Sequence, residues 1–281
     1  MISIVIPAFN EATRIGAQLD ALAHEPGIED CEILVADNGS TDETVDTVKR
    51  WAARLPVRIV DASARRGQAY ARNLAVRCSV GELLLFIDAD DAVMPGWLLA
   101  WQCLGAEVEF ASGPVIWFRA DEAPPRTCER APRRLPTHMG FLPYALGANF
   151  AVRRDLFTRS GGFDETYPPA EDVELSWRLQ LMGATLVFVP SAVVAKREAA
   201  TVQSTIRQYF HYGVRDPFLY RDFRGRGAKR RAVVPTSKTY IGLLGRVPLL
   251  WMTEQRKRWA QQLGKCAGHI IGSQRAKTLY L

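Results

Sequence analysis

The residues best suited to chemistry are three carboxylates that close an apolar run: Leu83-Leu84-Leu85-Phe86-Ile87 leads directly into Asp88-Ala89-Asp90-Asp91. Three neighbouring acids repel one another unless a divalent cation or a cationic group sits among them, because hard cations take carboxylate oxygens. Asp88 and Asp90 are two residues apart, so on an extended chain they share a face and can reach one ion. The competing reading is that these acids cap a helix that starts near Pro95-Gly96-Trp97, a common use of aspartate. Two further polar clusters also follow apolar runs: Pro7-Ala8-Phe9-Asn10-Glu11 and Asp37-Asn38-Gly39-Ser40.

The elements that must position these clusters alternate. Apolar spacing predicts strands over 2–7, 32–36, 57–60 and 82–87, and helices over 11–23, 42–51 and 68–77. This βαβαβαβ order with short connections predicts an α/β fold with an open, mostly parallel sheet flanked by helices, in which ligands bind beyond the carboxyl ends of the strands. All three polar clusters fall at such ends. The pattern breaks over 121–143, where five prolines and Arg126, Arg130, Arg133 and Arg134 leave no periodicity, and a mobile loop over the site is expected. Beyond it come a strand candidate at 147–152, a helix at 154–160, a Gly161-Gly162-Phe163-Asp164-Glu165 turn, a helix from Glu171 with Val173, Trp177 and Leu181 on one face, and a strand over 185–194 broken at Pro190.

Composition sets the limits. The 281 residues are 48% hydrophobic with a mean hydropathy of -0.08, which describes a globular core. Met1-Ile2-Ser3 enters a strand at once, unlike a secretory leader. No uncharged apolar stretch reaches the ~20 residues that span a bilayer. The five scattered cysteines lack a CxxC spacing, which argues against a disulfide framework or zinc site and favours the reducing cytoplasm. The net charge of +6 is uneven: of 36 Lys+Arg and 30 Asp+Glu, residues 201–281 hold 16 and three, and the first 200 hold 20 and 27. A basic tail on an acidic body suggests an anionic partner.

In this order the motifs resemble the family 2 inverting glycosyltransferases of the GT-A fold. The likeness covers roughly residues 2–225 and is carried by Val5-Ile6-Pro7-Ala8-Phe9-Asn10-Glu11, Val35-Ala36-Asp37-Asn38-Gly39-Ser40-Thr41-Asp42, Arg66-Gly67 with Ala71-Arg72-Asn73, Phe86-Ile87-Asp88-Ala89-Asp90, Gly161-Gly162-Phe163-Asp164-Glu165 and Glu171-Asp172-Val173-Glu174-Leu175. It implies a nucleotide-sugar donor lying across the strand ends, with Pro7, Asn10 and Glu11 lining the nucleotide pocket. Asp37 would accept a hydrogen bond from a base carrying a ring N–H, uracil or guanine, and a UDP-sugar is favoured. Arg66, Gly67 and Arg72 fall where the family contacts base and diphosphate, and Asp88 and Asp90 match its metal and ribose motif, implying Mn²⁺ or Mg²⁺. Asp172, paired with Glu171, matches the general base that takes the acceptor's proton during inversion.

One departure stands out. Many relatives carry a metal-ligating histidine in the segment that here reads Val193-Val194-Ala195-Lys196-Arg197. A protonated lysine cannot ligate a cation, so Lys196 is expected to pair with the diphosphate instead, or His211 to serve in the histidine's place. The chain lacks the full Gln-x-x-Arg-Trp sequence of processive synthases, which favours transfer of a single sugar, in cell-surface polysaccharide or glycolipid synthesis. Transfer to polyprenyl phosphate and non-catalytic nucleotide binding are the alternatives. A dinucleotide oxidoreductase is disfavoured because no G-x-G-x-x-G follows the first strand.

The expected organisation is a catalytic domain over 1–225 and a basic amphipathic helical extension over 226–281. Within the catalytic domain, residues 1–117 are expected to bind the donor and residues 118–225 the acceptor. In the extension and just before it, Arg224–Arg231 is basic, 240–252 is apolar but too short to span, and Arg256-Lys257-Arg258-Trp259 restores the charge. This suits an anionic membrane surface at the inner face, and with it a saccharide or lipid-linked saccharide acceptor. A helical hairpin packed on the catalytic domain is the competing reading. No stacking or groove-reading motif supports nucleic-acid binding.

Overall fold

The computed structural model describes residues 1–230 apart from 129, 168 and 169, then 243 and 253–280. Strands β1 (Ile2–Ala8), β2 (Cys31–Asp37), β3 (Val57–Asp61) and β4 (Leu83–Ile87) are parallel, in the spatial order β3-β2-β1-β4. Helices α1 (Ile15–Ala23), α2 (Thr44–Trp51) and α3 (Gln68–Cys78) connect them. The sheet continues from β4 through β8 (Asn149–Arg153), β6 (Phe110–Ser112) and β9 (Leu186–Phe188), with β8 antiparallel to both neighbours. A smaller sheet runs β5 (Ala92–Val93), β10 (Val194–Arg197), β7 (Val115–Phe118).

Successive residues of the central strands serve two cores. Ile4, Ile6, Ile33, Val35, Leu85 and Ile87 pack with Ile15 and Leu19 of α1 and with Trp97, Leu98 and Trp101 of α4 (Trp97–Gln102). Val5, Leu34, Ala36, Leu84 and Phe86 pack on the opposite face with Ala71 and Ala75 of α3, Leu156 of α5 (Arg154–Arg159) and Leu175 and Leu179 of α6 (Glu171–Leu181). Burial on both faces explains why these strands read as continuous apolar runs. β1 pairs with β2 through Ala8 but with β4 only to Val5, so the sheet opens between β1 and β4 at their carboxyl ends. Pro7, which has no N–H to give, sits where the ladder to β4 has ended.

Four expectations are corrected. The strand expected over 185–194 is two strands in different sheets, β9 and β10, with Pro190 in the connection between them. Leu181 is exposed, because α6 ends there and only Val173 and Trp177 of the proposed stripe reach the core. The acids of 88–91 do not cap α4: the amides of Gly96 and Leu98 donate to Glu25 instead, at 2.9 and 2.7 Å. The 121–143 loop lacks helix or strand among its described residues but is tied down. His138 Nε2 lies 2.9 Å from Asp216 Oδ1, and Met139, Phe141 and Leu142 pack on Trp177 and Phe223.

Asp216 belongs to α7 (Val202–Phe223), which packs along α8 (Thr253–Arg275). Gly264, Gly268 and Gly272, four apart on α8, face the α7 backbone so closely that a Cβ at any of them would collide with a carbonyl of Ile206, Phe210 or Val214. These contacts step forward together along both helices, from Ile206 at Gly264 to Val214 and Pro217 at Gly272, so α7 and α8 pack as a parallel pair across the expected boundary at 225/226, and not as the antiparallel hairpin of the competing reading. The apolar 240–252 segment lies outside the described residues, apart from Leu243. No described helix is long and apolar enough to cross a membrane.

Candidate active site

The three aspartates converge. Oxygens of Asp88, Asp90 and Asp91 all lie within 4.8 Å of one another. Buried Gln18 of α1 fixes the segment, donating to the Asp88 carbonyl at 3.3 Å and accepting from the Val93 amide at 2.9 Å. Lys196, on β10, places its Nζ 2.9 Å from Asp88 Oδ2 and 3.1 Å from Asp91 Oδ2, and the Arg197 amide donates to Asp91 Oδ1 at 3.1 Å. Asp90 makes no hydrogen bond among the described residues. Burial would raise the Asp88 carboxyl, but Lys196 and Arg72 outweigh it and bring it down to about 2. Burial lifts Asp91 to about 8, with Asp90 and Asp88 adding to a rise that Lys196 only partly offsets. Lys196 itself is lowered by burial and raised more strongly by Asp88 and Asp91, so it stays cationic.

A second cluster is bolted to the first by one arginine. Arg72 on α3, 2% exposed, donates from Nη2 to Asp88 Oδ1 at 2.9 Å and from Nη1 to Glu171 Oε1 at 2.7 Å, and also reaches the Gly147 carbonyl at 3.1 Å. Glu171 opens α6, and burial raises its carboxyl against the pull of Arg72. Asp172, next in the same first turn, accepts from the Gly147 amide at 2.9 Å through Oδ2 and from the Val173 amide at 2.8 Å through Oδ1. Gly147 is needed for close approach: a Cβ there would lie 3.1 Å from Arg72 Nη2 and 3.2 Å from Asp172 Oδ2. Asp88 and the Glu171-Asp172 turn are therefore tied together through Arg72.

Beside them, at the opening between β1 and β4, lies a cleft of about 780 Å³, within the range of ligand pockets. Pro7, Phe9 and Glu11 line it from β1, Asn38 from β2, Arg66, Gly67 and Gln68 from the start of α3, and Asp88 and Asp90 from β4. Asn38 builds one wall: its side chain accepts from the Gly67 amide at 2.8 Å and donates to the carbonyls of Ala62 and Arg65 at 2.6 and 2.7 Å. Gly67 has φ 139°, a conformation open to glycine, which lets α3 begin at the cleft with its free amides favouring anions. Arg66 donates to the Asn38 carbonyl at 2.8 Å and lies 4.1 Å over the Phe9 ring. The Glu11 carboxyl is pushed up to about 7 by burial, with Asp90 adding to the rise.

Of the sequence candidates, Pro7, Glu11, Arg66, Gly67, Asp88 and Asp90 share this cleft. Asn10 instead accepts from the Thr41 amide at 2.8 Å, Asp37 accepts from the Ser40 amide at 3.2 Å, and Arg72 is buried in its ion pairs. Sequence reasoning missed Gln68, whose Nε2 donates to Asp88 at 3.0 Å, and Arg207, which joins His211 in lining the cleft from α7. Their signal was weak: lone polar residues on helices, with nothing local to say which face meets the site.

A glycosyl transferase family 2 model matches residues 3–101, and a glycosyl transferase family group 2 model matches residues 133–275, about half of the chain. The chain belongs to the family 2 glycosyltransferases. It is 30% identical over 224 residues to validoxylamine A glucosyltransferase of Streptomyces hygroscopicus subsp. jinggangensis, covering 65% of this chain and 52% of that protein. It is 26% identical over 222 residues to pre-mycofactocin glycosyltransferase of Mycobacterium tuberculosis, covering 75% and 46%. The chain thus spans about half the length of these relatives. The mannosyltransferase PcManGT of Pyrobaculum calidifontis, solved with GDP-Man and Mn²⁺, superposes with TM-score 0.66 at 20% identity, covering 96% of this chain and 86% of that one. S. aureus TarS 1–349, solved with UDP-GlcNAc, gives 0.57 at 19% identity, covering 100% and 93%. The fold is therefore GT-A, and the family to which the chain belongs is one of enzymes.

An ion of the kind seen in PcManGT has a chemically suitable donor set here, since oxygen-only ligands suit Mn²⁺ or Mg²⁺ and Asp90 has no hydrogen-bond partner among the described residues. The set fits a divalent cation, with Lys196 competing for Asp88 and Asp91.

Proposed function

We propose that this glycosyltransferase moves one sugar from a nucleoside diphosphate sugar, UDP-linked by preference, to a hydroxyl of a saccharide or lipid-linked saccharide, inverting the anomeric carbon. The observation that carries the reading is the Arg72 bridge, which holds Asp88 at the donor cleft and the Glu171-Asp172 turn in one frame. The donor lies in the cleft between β1 and β4, with its diphosphate at the first turn of α3 and near Arg66. Asp37, buried at the end of β2 and engaged by the Ser40 amide, does not line this cleft, so the preference for a UDP-sugar rests on the family resemblance.

Asp172 takes the proton from the acceptor hydroxyl as that oxygen forms its bond to the anomeric carbon. The bond from that carbon to the phosphate oxygen breaks on the opposite face, and its electron pair leaves with the nucleoside diphosphate. The Gly147 and Val173 amides fix the Asp172 carboxylate for this transfer. Lys196 adds fixed positive charge beside the departing diphosphate. A divalent cation, held by Asp90 with Asp88, would supply further positive charge there. The basic α7–α8 region would dock the enzyme at an anionic cytoplasmic membrane face, where lipid-linked acceptors are presented.

The test is a panel of UDP-, GDP- and dTDP-sugars assayed for release of nucleoside diphosphate, with and without added methyl glycosides. Release from one donor, accelerated by an acceptor, is expected. A chain that binds nucleotide yet releases none from any donor would be the non-catalytic relative instead.

A further inference from the structure

The small sheet carries a row of residues that leads outward from the carboxylates. β10 pairs antiparallel with β5, Ala195 opposite Ala92, and parallel with β7, Lys196 opposite Trp117. Residues opposite each other in a ladder point to the same face. Val115 and Val194, two positions earlier on the same face, are buried in the main core, whereas Phe118, Ala195 and Met94 cluster apart from it on the other. Lys196 reaches Asp88 and Asp91. Trp117 therefore stands on the face of β7 that Lys196 shares, one strand further from Asp91, with side chains roughly 5 Å apart at their Cβ atoms.

Nothing in the fold accounts for a tryptophan there. It is 53% exposed, alone among the described tryptophans in being exposed, and its indole N–H has no partner among the described residues. It does not line the donor cleft. Trp97 and Trp177, by contrast, are buried with their N–H groups bonded to Asn149 and Leu142.

We infer that Trp117 is a stacking platform for a pyranose ring of the acceptor. This rests on the glycosyl-transfer reading and adds the acceptor side to it. The negative face of an indole attracts the C–H-rich face of a sugar ring, which burial against the ring also desolvates, and the free N–H can hold a hydroxyl. Set beside Lys196, the platform puts that ring next to the groups that meet the donor diphosphate, and the acceptor must carry a saccharide ring, not a bare lipid phosphate. An acceptor consisting only of polyprenyl phosphate offers no such ring.

The test follows the indole N–H resonances of ¹⁵N-labelled full-length chain during titration with methyl hexopyranosides, with and without UDP and Mn²⁺; Trp117→Phe identifies the Trp117 signal. A saturable shift of that signal with at least one sugar is expected, together with a rise of about tenfold in acceptor KM for Trp117→Ala that Trp117→Phe largely restores. A Trp117 signal unmoved by every sugar in the panel overturns the proposal. Failure of the transfer reading is separate: it would appear as no nucleotide-sugar turnover by the unaltered chain.

Discussion

Replacing Lys196 by methionine keeps most of the length of the side chain and removes its charge from between two carboxyl groups. Its Nζ lies 2.9 Å from Asp88 and 3.1 Å from Asp91, whose side chains are 17% and 0% exposed. At ~3 Å and an effective dielectric constant of ~20, the contact with the ionised Asp88 carries about 5 kcal/mol of Coulomb attraction, most of it offset by desolvation, while Asp91, lifted to about 8, is mostly protonated at neutral pH and contributes chiefly a hydrogen bond. Removing one partner of a buried pair costs about 3–5 kcal/mol, because the abandoned carboxylates stay buried. In a chain of this size about 1 kcal/mol moves Tm by roughly 2–4 °C, so Lys196→Met is expected to melt roughly 6–20 °C lower without divalent cation. Mn²⁺ can then take the ammonium's place. At 100-fold over its Kd, mass action returns about 2.7 kcal/mol, half or more of the loss. The unaltered chain, whose ammonium already holds two of the three carboxylates, should gain less from the same Mn²⁺. Calorimetric melts of both chains across a Mn²⁺ series measure this. A loss under about 2 °C, or equal Mn²⁺ responses in the two chains, would refute the reasoning that Lys196 and a cation serve the same charge.

Three further outcomes are expected. Asp172→Asn should lower transfer about 10²–10⁴-fold, with a stability loss of about 1–3 kcal/mol because the amide oxygen can accept from only one of the Gly147 and Val173 N–H groups, read by product formation alongside melts; an active variant would remove Asp172 as the base and favour an anionic acceptor that needs none. Gly268→Ala should cost about 1–3 kcal/mol in denaturant unfolding, since a Cβ there would also lie 2.8 Å from the Gly213 Cα; an unchanged midpoint would mean that the close α7–α8 contact carries no stability. Asp216 is raised by burial but held well below the ordinary 3.8 by hydrogen bonds from His138 on the loop and His269 on α8, with Lys265 adding to the pull and Arg215 beside it. A lowered folded value gives stability that is present above about pH 3.8 and lost as pH falls through the lowered value. Asp216→Asn should thus be less stable at neutral pH, with the gap narrowing in acid; a gap constant from neutrality to the acid transition in far-UV circular dichroism would contradict it.

The donor half was legible because its strands are buried on both faces and its polar residues gather where the strands end. Ile2–Ala8, Cys31–Asp37 and Leu83–Ile87 each run into a motif that the fold brings to one edge. Long-range partnerships were not legible. Nothing near Glu25 announces that it caps a helix over 70 residues away, and nothing near Arg72 shows that its guanidinium is spent on Asp88 and Glu171 rather than left open. Both depend on tertiary distance, which spacing along the chain does not encode. The α7–α8 contact did leave a mark in the sequence. Gly264, Gly268 and Gly272 recur every four residues, so they share one helix face and permit close backbone approach. The basic charge around them obscured that pattern and pointed towards a membrane surface.

Everything in the proposed reaction depends on the cleft between β1 and β4 holding a nucleoside diphosphate. Titration calorimetry of UDP and GDP into the full chain, with and without Mn²⁺ and repeated with Arg66→Ala, tests it most directly. Saturable binding of one nucleotide, weakened by loss of the Arg66 guanidinium, is expected. Absence of binding by either nucleotide in either metal condition would contradict it.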